Sequence, residues 1–185
     1  MSLVTMEDFE KHKQLYTTRY NRKGKGNAKL AYALSRLSSQ ERGETCEHLI
    51  AAQMEKRGWE SRVTAHTFPY DINSYKNDSR LRIEVKSALI RTGNVFMMQH
   101  IRPWHNDGSD QWDVLIMCCI CPINGVVVRA AHHSDVEDFC SDKTPTLMGG
   151  IENYTISINK HYNHKWLDLY EFDDIIKPYE QEYKK

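Results

Sequence analysis

Two short stretches hold residue types that could hydrolyse a phosphodiester: Pro69-Tyr70-Asp71 and, further on, Ile83-Glu84-Val85-Lys86. That reaction takes divalent cations held by carboxylate oxygens, and a positive group near the attacking water or the phosphate. Asp71, Glu84 and Lys86 supply those charges. If Glu84 to Lys86 lie in a β-strand, alternation sends Glu84 and Lys86 to one side and Val85 into the core. The middle residue must then be apolar, as it is. Each residue also has a bland reading. Asp71 alone suits a turn, and Glu84 with Lys86 suits a cross-strand ion pair. An unpaired carboxylate within an apolar strand is costly, so either a metal or Lys86 must compensate Glu84. A place at a strand end would turn both Asp71 oxygens toward a solvent-filled cleft.

The elements that would position this set follow from periodicity. Residues 38–57 form the strongest helix pattern: Cys46, Leu49, Ile50 and Met54 recur at helical spacing, Gly58 can end the run, and Glu44, Glu47, His48 and Glu55 occupy its polar face. A first helix is expected over residues 5–20, broken by the Lys- and Gly-rich residues 21–27. Strands are expected over 62–68, 80–89, 94–101, 113–121 and 126–130, with 73–79 as a hairpin connection and Asn124-Gly125 as a tight turn. A short helix capped by Ser134 over 134–140 and a strand over 154–158 follow, while the acidic, aromatic tail from Trp166 fits no single state.

At 185 residues the chain suits one domain able to bury a core without disulfides. Its 25 basic and 25 acidic residues cancel, so net charge selects no partner. Distribution says more: from Lys11 to Arg36 there are eight basic residues and no acidic one, with Tyr16, Tyr20 and Tyr32 interleaved. Such a segment suits phosphates and bases, or is simply a solvated arm. Within it Arg19, Arg22, Lys23, Lys25 and Lys29 are the candidate nucleic-acid contacts. Five cysteines, three of them in the apolar run 114–121, read as reduced core thiols rather than a disulfide framework. Zinc held by Cys118, Cys119 and Cys121 with His132 and His133 is disfavoured because paired ligand knuckles are missing. No apolar stretch reaches the ~20 residues of a membrane span, and the N-terminus has no signal-peptide core. A cytoplasmic protein with no membrane partner is therefore expected. Residues 161–165, His-Tyr-Asn-His-Lys, lack the surroundings of a His-based nuclease site, and Asp107, Asp110 and Asp113 lack calcium-loop spacing. Trp104 and Trp112 read as packing anchors.

From about Gly43 to Ile120 the chain resembles the PD-(D/E)XK nuclease superfamily. The resemblance rests on Gly43, Glu47, Gly58 and Trp59 in a helix-turn segment, Asp71 after Pro69-Tyr70, and Glu84-Val85-Lys86 before Ser87. The sequence departs from the literal motif where Tyr70 separates the proline from the aspartate. The resemblance implies an α/β (α+β) restriction-endonuclease-like core, a central mixed sheet flanked by helices. Residues 1–37 would be a basic N-terminal segment, 38–131 the nuclease core and 132–185 a C-terminal elaboration packed on it. It further implies Asp71 and Glu84 as metal ligands with the Val85 carbonyl, Lys86 beside the attacking water or phosphate, and Glu47 as the helix glutamate. Glu44 competes for that last role, and Gln99 is a possible accessory contact to metal-bound water or phosphate. The implied activity is a Mg²⁺-dependent DNA endonuclease, with Mn²⁺ able to substitute, of restriction type and acting as a homodimer. Alternatives are a repair, junction-resolving or homing nuclease of the same fold, and a non-catalytic nucleic-acid-binding module. RNA as substrate is not excluded.

Overall fold

Helices α1 (Ala28–Ser35) and α2 (Ser39–Glu55) open the described part of the computed structural model. The structure describes residues 28–92, 94–122, 124–159, 170–171, 174, 176–177 and 179. The expected helix over 5–20, the basic residues Arg19, Arg22, Lys23 and Lys25, and the 161–165 segment lie outside the described residues. Lys29 is exposed on α1.

Helix α2 starts where its sequence can satisfy the first free N–H groups. Ser38 Oγ accepts from the Glu41 N–H at 3.2 Å, and the Ser38 N–H donates to Glu41 Oε2 at 3.0 Å. The helix stops before Gly58, whose φ of +81° suits a residue without a Cβ. Between these ends Cys46, Ile50, Ala51 and Met54 form the buried stripe.

The strands are β1 (Glu60–Val63), β2 (Ile72–Lys76), β3 (Ser79–Leu89), β4 (Val95–Ile101), β5 (Val114–Cys121), β6 (Gly125–His132), β7 (Thr146–Met148), β8 (Ile151–Asn159) and β9 (Tyr170–Glu171), with helix α3 (His133–Ser141) between β6 and β7. Among the described residues they form a six-stranded sheet, β1-β2-β3-β5-β6-β9, and a three-stranded one, β4-β8-β7. The larger sheet is mixed, with β3 and β5 parallel and its other pairs antiparallel. Helices α1 and α2 cover one face of it, over Leu81, Ile83, Val85, Ile116 and Cys118. The other face packs Leu115, Met117 and Cys119 against Phe96 and Met98 of β4, Ile156 of β8, and Val136 of α3. Strand β5 is buried at every residue, which explains its unbroken apolar run. All five cysteines are free and buried. Among the described residues no helix is long and apolar enough to cross a membrane.

Three local expectations need correction. The strand expected over 62–68 begins earlier and ends at Val63, because β1 pairs with β2 only from Glu60↔Tyr75 to Val63↔Ile72. The supposed connection 73–79 is itself mostly strand β2. Its polar composition hides the alternation that buries Ile72 and Ser74, the latter satisfied by a 2.8 Å hydrogen bond to Ser61. Helix α3 is entered at His132 rather than Ser134, with the His132 N–H donating to Asp135 Oδ2 at 3.3 Å.

Because Ile116 is 1 % exposed at the centre of β5, Ile116→Ala is expected to cost about 2–5 kcal/mol of unfolding free energy. Denaturant titration checks this.

Candidate active site

Strand β2 pairs with β3 from Lys76↔Ser79 up to Ile72↔Ile83 and then leaves it. The Asp71 N–H still donates to the Ile83 carbonyl at 3.0 Å, while the Asp71 carbonyl turns to accept from Thr64 N–H at 2.8 Å. The next inward N–H of β3, that of Val85, therefore has no strand on this side. The Asp71 side chain takes that place, and Oδ2 accepts from the Val85 N–H at 2.7 Å. Asp71 thus precedes β2 instead of ending a strand. One of its oxygens is committed to β3, which corrects the expectation that both face solvent. In an extended strand a residue's N–H and C=O face the same neighbour. The Val85 carbonyl consequently points to the Asp71 side, where β2 no longer runs.

Glu84 and Lys86 share the face of β3 opposite Val85 and form an ion pair, with side chains 11 % and 21 % exposed. Burial, the largest influence, pushes the Glu84 carboxyl up to about 7. Lys86 opposes that shift, and the nearby Asp71 carboxylate, within hydrogen-bonding reach, adds to it. For Lys86, burial works against the charge, but the carboxylates of Glu84, Asp71 and Glu47 outweigh it and hold the ammonium above its ordinary value. Glu47, half-buried on α2, is raised by burial and then by Asp71, against the pull of His66 and Lys86. Glu47, Asp71, Glu84 and Lys86 therefore sit in one electrostatic field.

A cleft of about 660 Å³ opens where β2 departs. Its floor is Val85 to Leu89 of β3; one wall is α2 with Gly43, Glu44 and Glu47; another is β4 with Met97, Gln99 and His100; His66 and Asp71 close one end. Because β3 is an edge here, Val85 and Lys86 reach the same cleft although they start from opposite faces. Glu84 is not among the lining residues. Its buried carboxyl meets the cleft through its contacts with Asp71 and Lys86. The structure thus brings Asp71, Val85, Lys86, Glu47, Glu44 and Gln99 to one cavity, with Glu84 directly behind it.

Sequence reasoning missed Arg42, His66, Arg91 and His100, which line the same cleft. His66 was hidden because 62–68 read as a strand. Arg42 carries a legible signal, since it lies one helical turn before Cys46 on the helix that bears Glu47.

The donors available to a divalent cation are the carboxylates of Asp71 and Glu84 and the Val85 carbonyl. Among the described residues no three His, Cys, Asp or Glu side chains converge on one point. An all-oxygen set with few protein ligands fits Mg²⁺, which keeps its waters and takes one or two carboxylates plus substrate phosphate. The cysteines of β5 cannot assemble a zinc site, because Cys118 faces the helical layer and Cys119 and Cys121 the opposite one.

Residues 43–101 match the family described as Protein NO VEIN, C-terminal, a span that contains Glu47, Asp71, Glu84, Lys86 and Gln99. Among solved structures, a bacterial homing endonuclease is similar to this chain with a TM-score of 0.47 and 16% identity, over 70% of this chain and 84% of that one. No curated protein matches.

The raised Glu84 value has a consequence for stability. The folded protein holds this proton up to about pH 7, against 4.5 for the ordinary carboxyl. The associated stability is therefore complete below about pH 4.5 and lost as pH rises through about 7. Unfolding free energy measured in EDTA from pH 5 to 8 is expected to fall more steeply for wild type than for Glu84→Gln.

Proposed function

We propose that this chain is a divalent-metal-dependent endonuclease that hydrolyses DNA phosphodiester bonds, with Mg²⁺ as its cation and Mn²⁺ able to replace it. The observation that carries the reading is the Asp71 Oδ2 bond to the Val85 N–H at 2.7 Å. It locks one carboxylate beside a second, beside a main-chain carbonyl and beside Lys86, at the floor of an open cleft. Asp71, Glu84 and the Val85 carbonyl would hold the cation, which when bound supplies Lewis-acid polarisation of the phosphate and a water of lowered pKa.

The remaining roles belong to side chains. Lys86 places a positive charge, held by its buried carboxylate neighbours, where negative charge builds on the phosphate oxygens during in-line attack. Glu47, whose carboxyl is raised by burial and by Asp71, accepts a hydrogen bond from the attacking water and can hold its proton. Gln99 offers an amide to a phosphate oxygen or a coordinated water, and Glu44 supports Glu47 from the preceding helical turn. Arg19, Arg22, Lys23, Lys25 and Lys29 contribute phosphate contacts that orient the duplex. The finer reading is a restriction-type enzyme acting as a homodimer, because one site hydrolyses one strand and a duplex needs two.

Supercoiled plasmid incubated with the purified protein is expected to be nicked or linearised in Mg²⁺ or Mn²⁺ and to stay intact in EDTA. Asp71→Ala and Lys86→Ala, confirmed as folded by circular dichroism, are expected to lower the rate by roughly 10²–10³-fold. Wild-type inactivity on DNA and RNA with retained binding would instead favour a non-catalytic nucleic-acid-binding module. Sedimentation of the protein with and without DNA tests the homodimer.

A further inference from the structure

Arg42 is a charged group of the cleft that the chemistry above leaves unused. It lines the cavity from the first turns of α2, and its Nη1 donates to the Leu37 carbonyl at 3.2 Å. Its Nε is buried with no hydrogen-bond partner among the described residues. Native proteins seldom leave a buried donor unmet, and each such exception calls for an explanation; here the residue that carries it lies on the lining of the cleft.

The cleft presents further donors on other elements. Arg91, exposed at the turn between β3 and β4, lines the same cavity, and its Nη1 lies 3.2 Å from Met97 Sδ, a weak acceptor that leaves the guanidinium's hydrogen-bonding capacity largely unspent. Strand β4 then breaks register with β8 between Met98 and Ile101, and His100 takes a φ of +60°. In a regular strand, neighbours face opposite ways. Here the consecutive residues Gln99 and His100 both line the cleft. A bulge that re-aims a side chain, with a non-glycine residue held at positive φ, is the kind of local cost that persists at binding sites.

We infer that Arg42, Arg91, Gln99 and His100 form a second phosphate subsite, which holds a backbone phosphate next to the one that is cleaved. The inference rests on the nuclease reading and deepens it. Guanidinium forks match phosphate oxygens in pairs, and an amide and an imidazole add donors from β4 across the cleft. Glu44, Glu47 and Asp71 repel any phosphate that a cation does not neutralise, so an uncleaved phosphate is accommodated at the guanidinium groups of Arg42 and Arg91 instead. These are positioning residues. They hold the strand, and Asp71, Glu84 and Lys86 act on it.

The test is binding of a short fluorescent DNA duplex by anisotropy in EDTA over a series of salt concentrations, beside cleavage of the same duplex in Mg²⁺. Arg42→Gln and Arg91→Gln are each expected to weaken binding about tenfold and to reduce the slope of log K against log salt by about 0.9. Arg42→Lys is expected to keep the slope, since the charge stays, and to lose affinity, since the fork does not. Arg91 is exposed, so its variant decides the matter should Arg42→Gln unfold. Wild-type affinity and slope in the glutamine variants of an enzyme that still cuts would overturn the subsite alone. A wild-type protein that neither binds nor cuts any DNA or RNA would overturn the nuclease reading and the subsite with it.

Discussion

The geometry of the cleft depends on the hydrogen bond from the Val85 N–H to Asp71 Oδ2. Had β2 continued beside β3, this donor would have met a backbone carbonyl, and no cavity would exist at that edge. Because β2 begins only at Ile72, a side chain must finish the ladder, and a carboxylate does so with about 1.5–3 kcal/mol, the net worth of a hydrogen bond to a charged group. The same event that satisfies the strand edge sets an acid beside Glu84 and leaves the Val85 carbonyl facing an open space. Strand termination and site formation are one structural event.

The second constraint is that β3 carries charges in its buried middle. Along one face lie Arg82, Glu84 and Lys86, and each has a specific counter-charge. Arg82 is fixed by Asp113, whose carboxylate accepts from both its guanidinium and its backbone N–H at 2.6 Å. Glu84 and Lys86 compensate one another, with Asp71 raising the stakes on both. A buried ion pair seldom adds net stability compared with apolar residues of the same size. The fold must carry the cost elsewhere, and it does so on β5, which is apolar and buried along its full length and supplies both core layers.

What was legible in the sequence follows from which forces are local. The apolar run of β5 and the helical spacing of Cys46, Ile50 and Met54 are each decided within a few residues, and the structure forms them where expected; the turn expected at Asn124-Gly125 falls one residue earlier, because Gly125 already pairs with Cys121 as the first residue of β6. The acid-x-basic triplet also lies on a strand whose middle residue faces the helical layer. What was hidden depends on pairing across the chain. Strand β2 looks like a polar connection until β1 and β3 are placed on either side of it. The commitment of one Asp71 oxygen to Val85 requires knowing where β2 begins. The bulge at His100 exists only because β4 pairs with β8, more than fifty residues later in the chain. Arg42, Arg91 and His100 therefore had to be found in space.

The floor and the walls of the cleft are under different physical control. Strand β3 is hydrogen-bonded to β2 for half its length and to β5 from Ile83↔Val114 to Leu89↔Ile120. A slip of one residue would send Glu84 and Lys86 to the helical face and Val85 away from it, so the register of the floor is fixed on both sides. The walls have no such lock. Helix α2 is held by its buried stripe, which leaves Ser39 and Gly43 outside the core, and the far wall is a bulged strand of the smaller sheet. A Cβ added at Gly43 would meet nothing within 4 Å, so even that position tolerates a side chain. The rigid floor therefore holds Val85 and Lys86 in a fixed register, while the walls that face it are set by packing that the sheet register does not dictate.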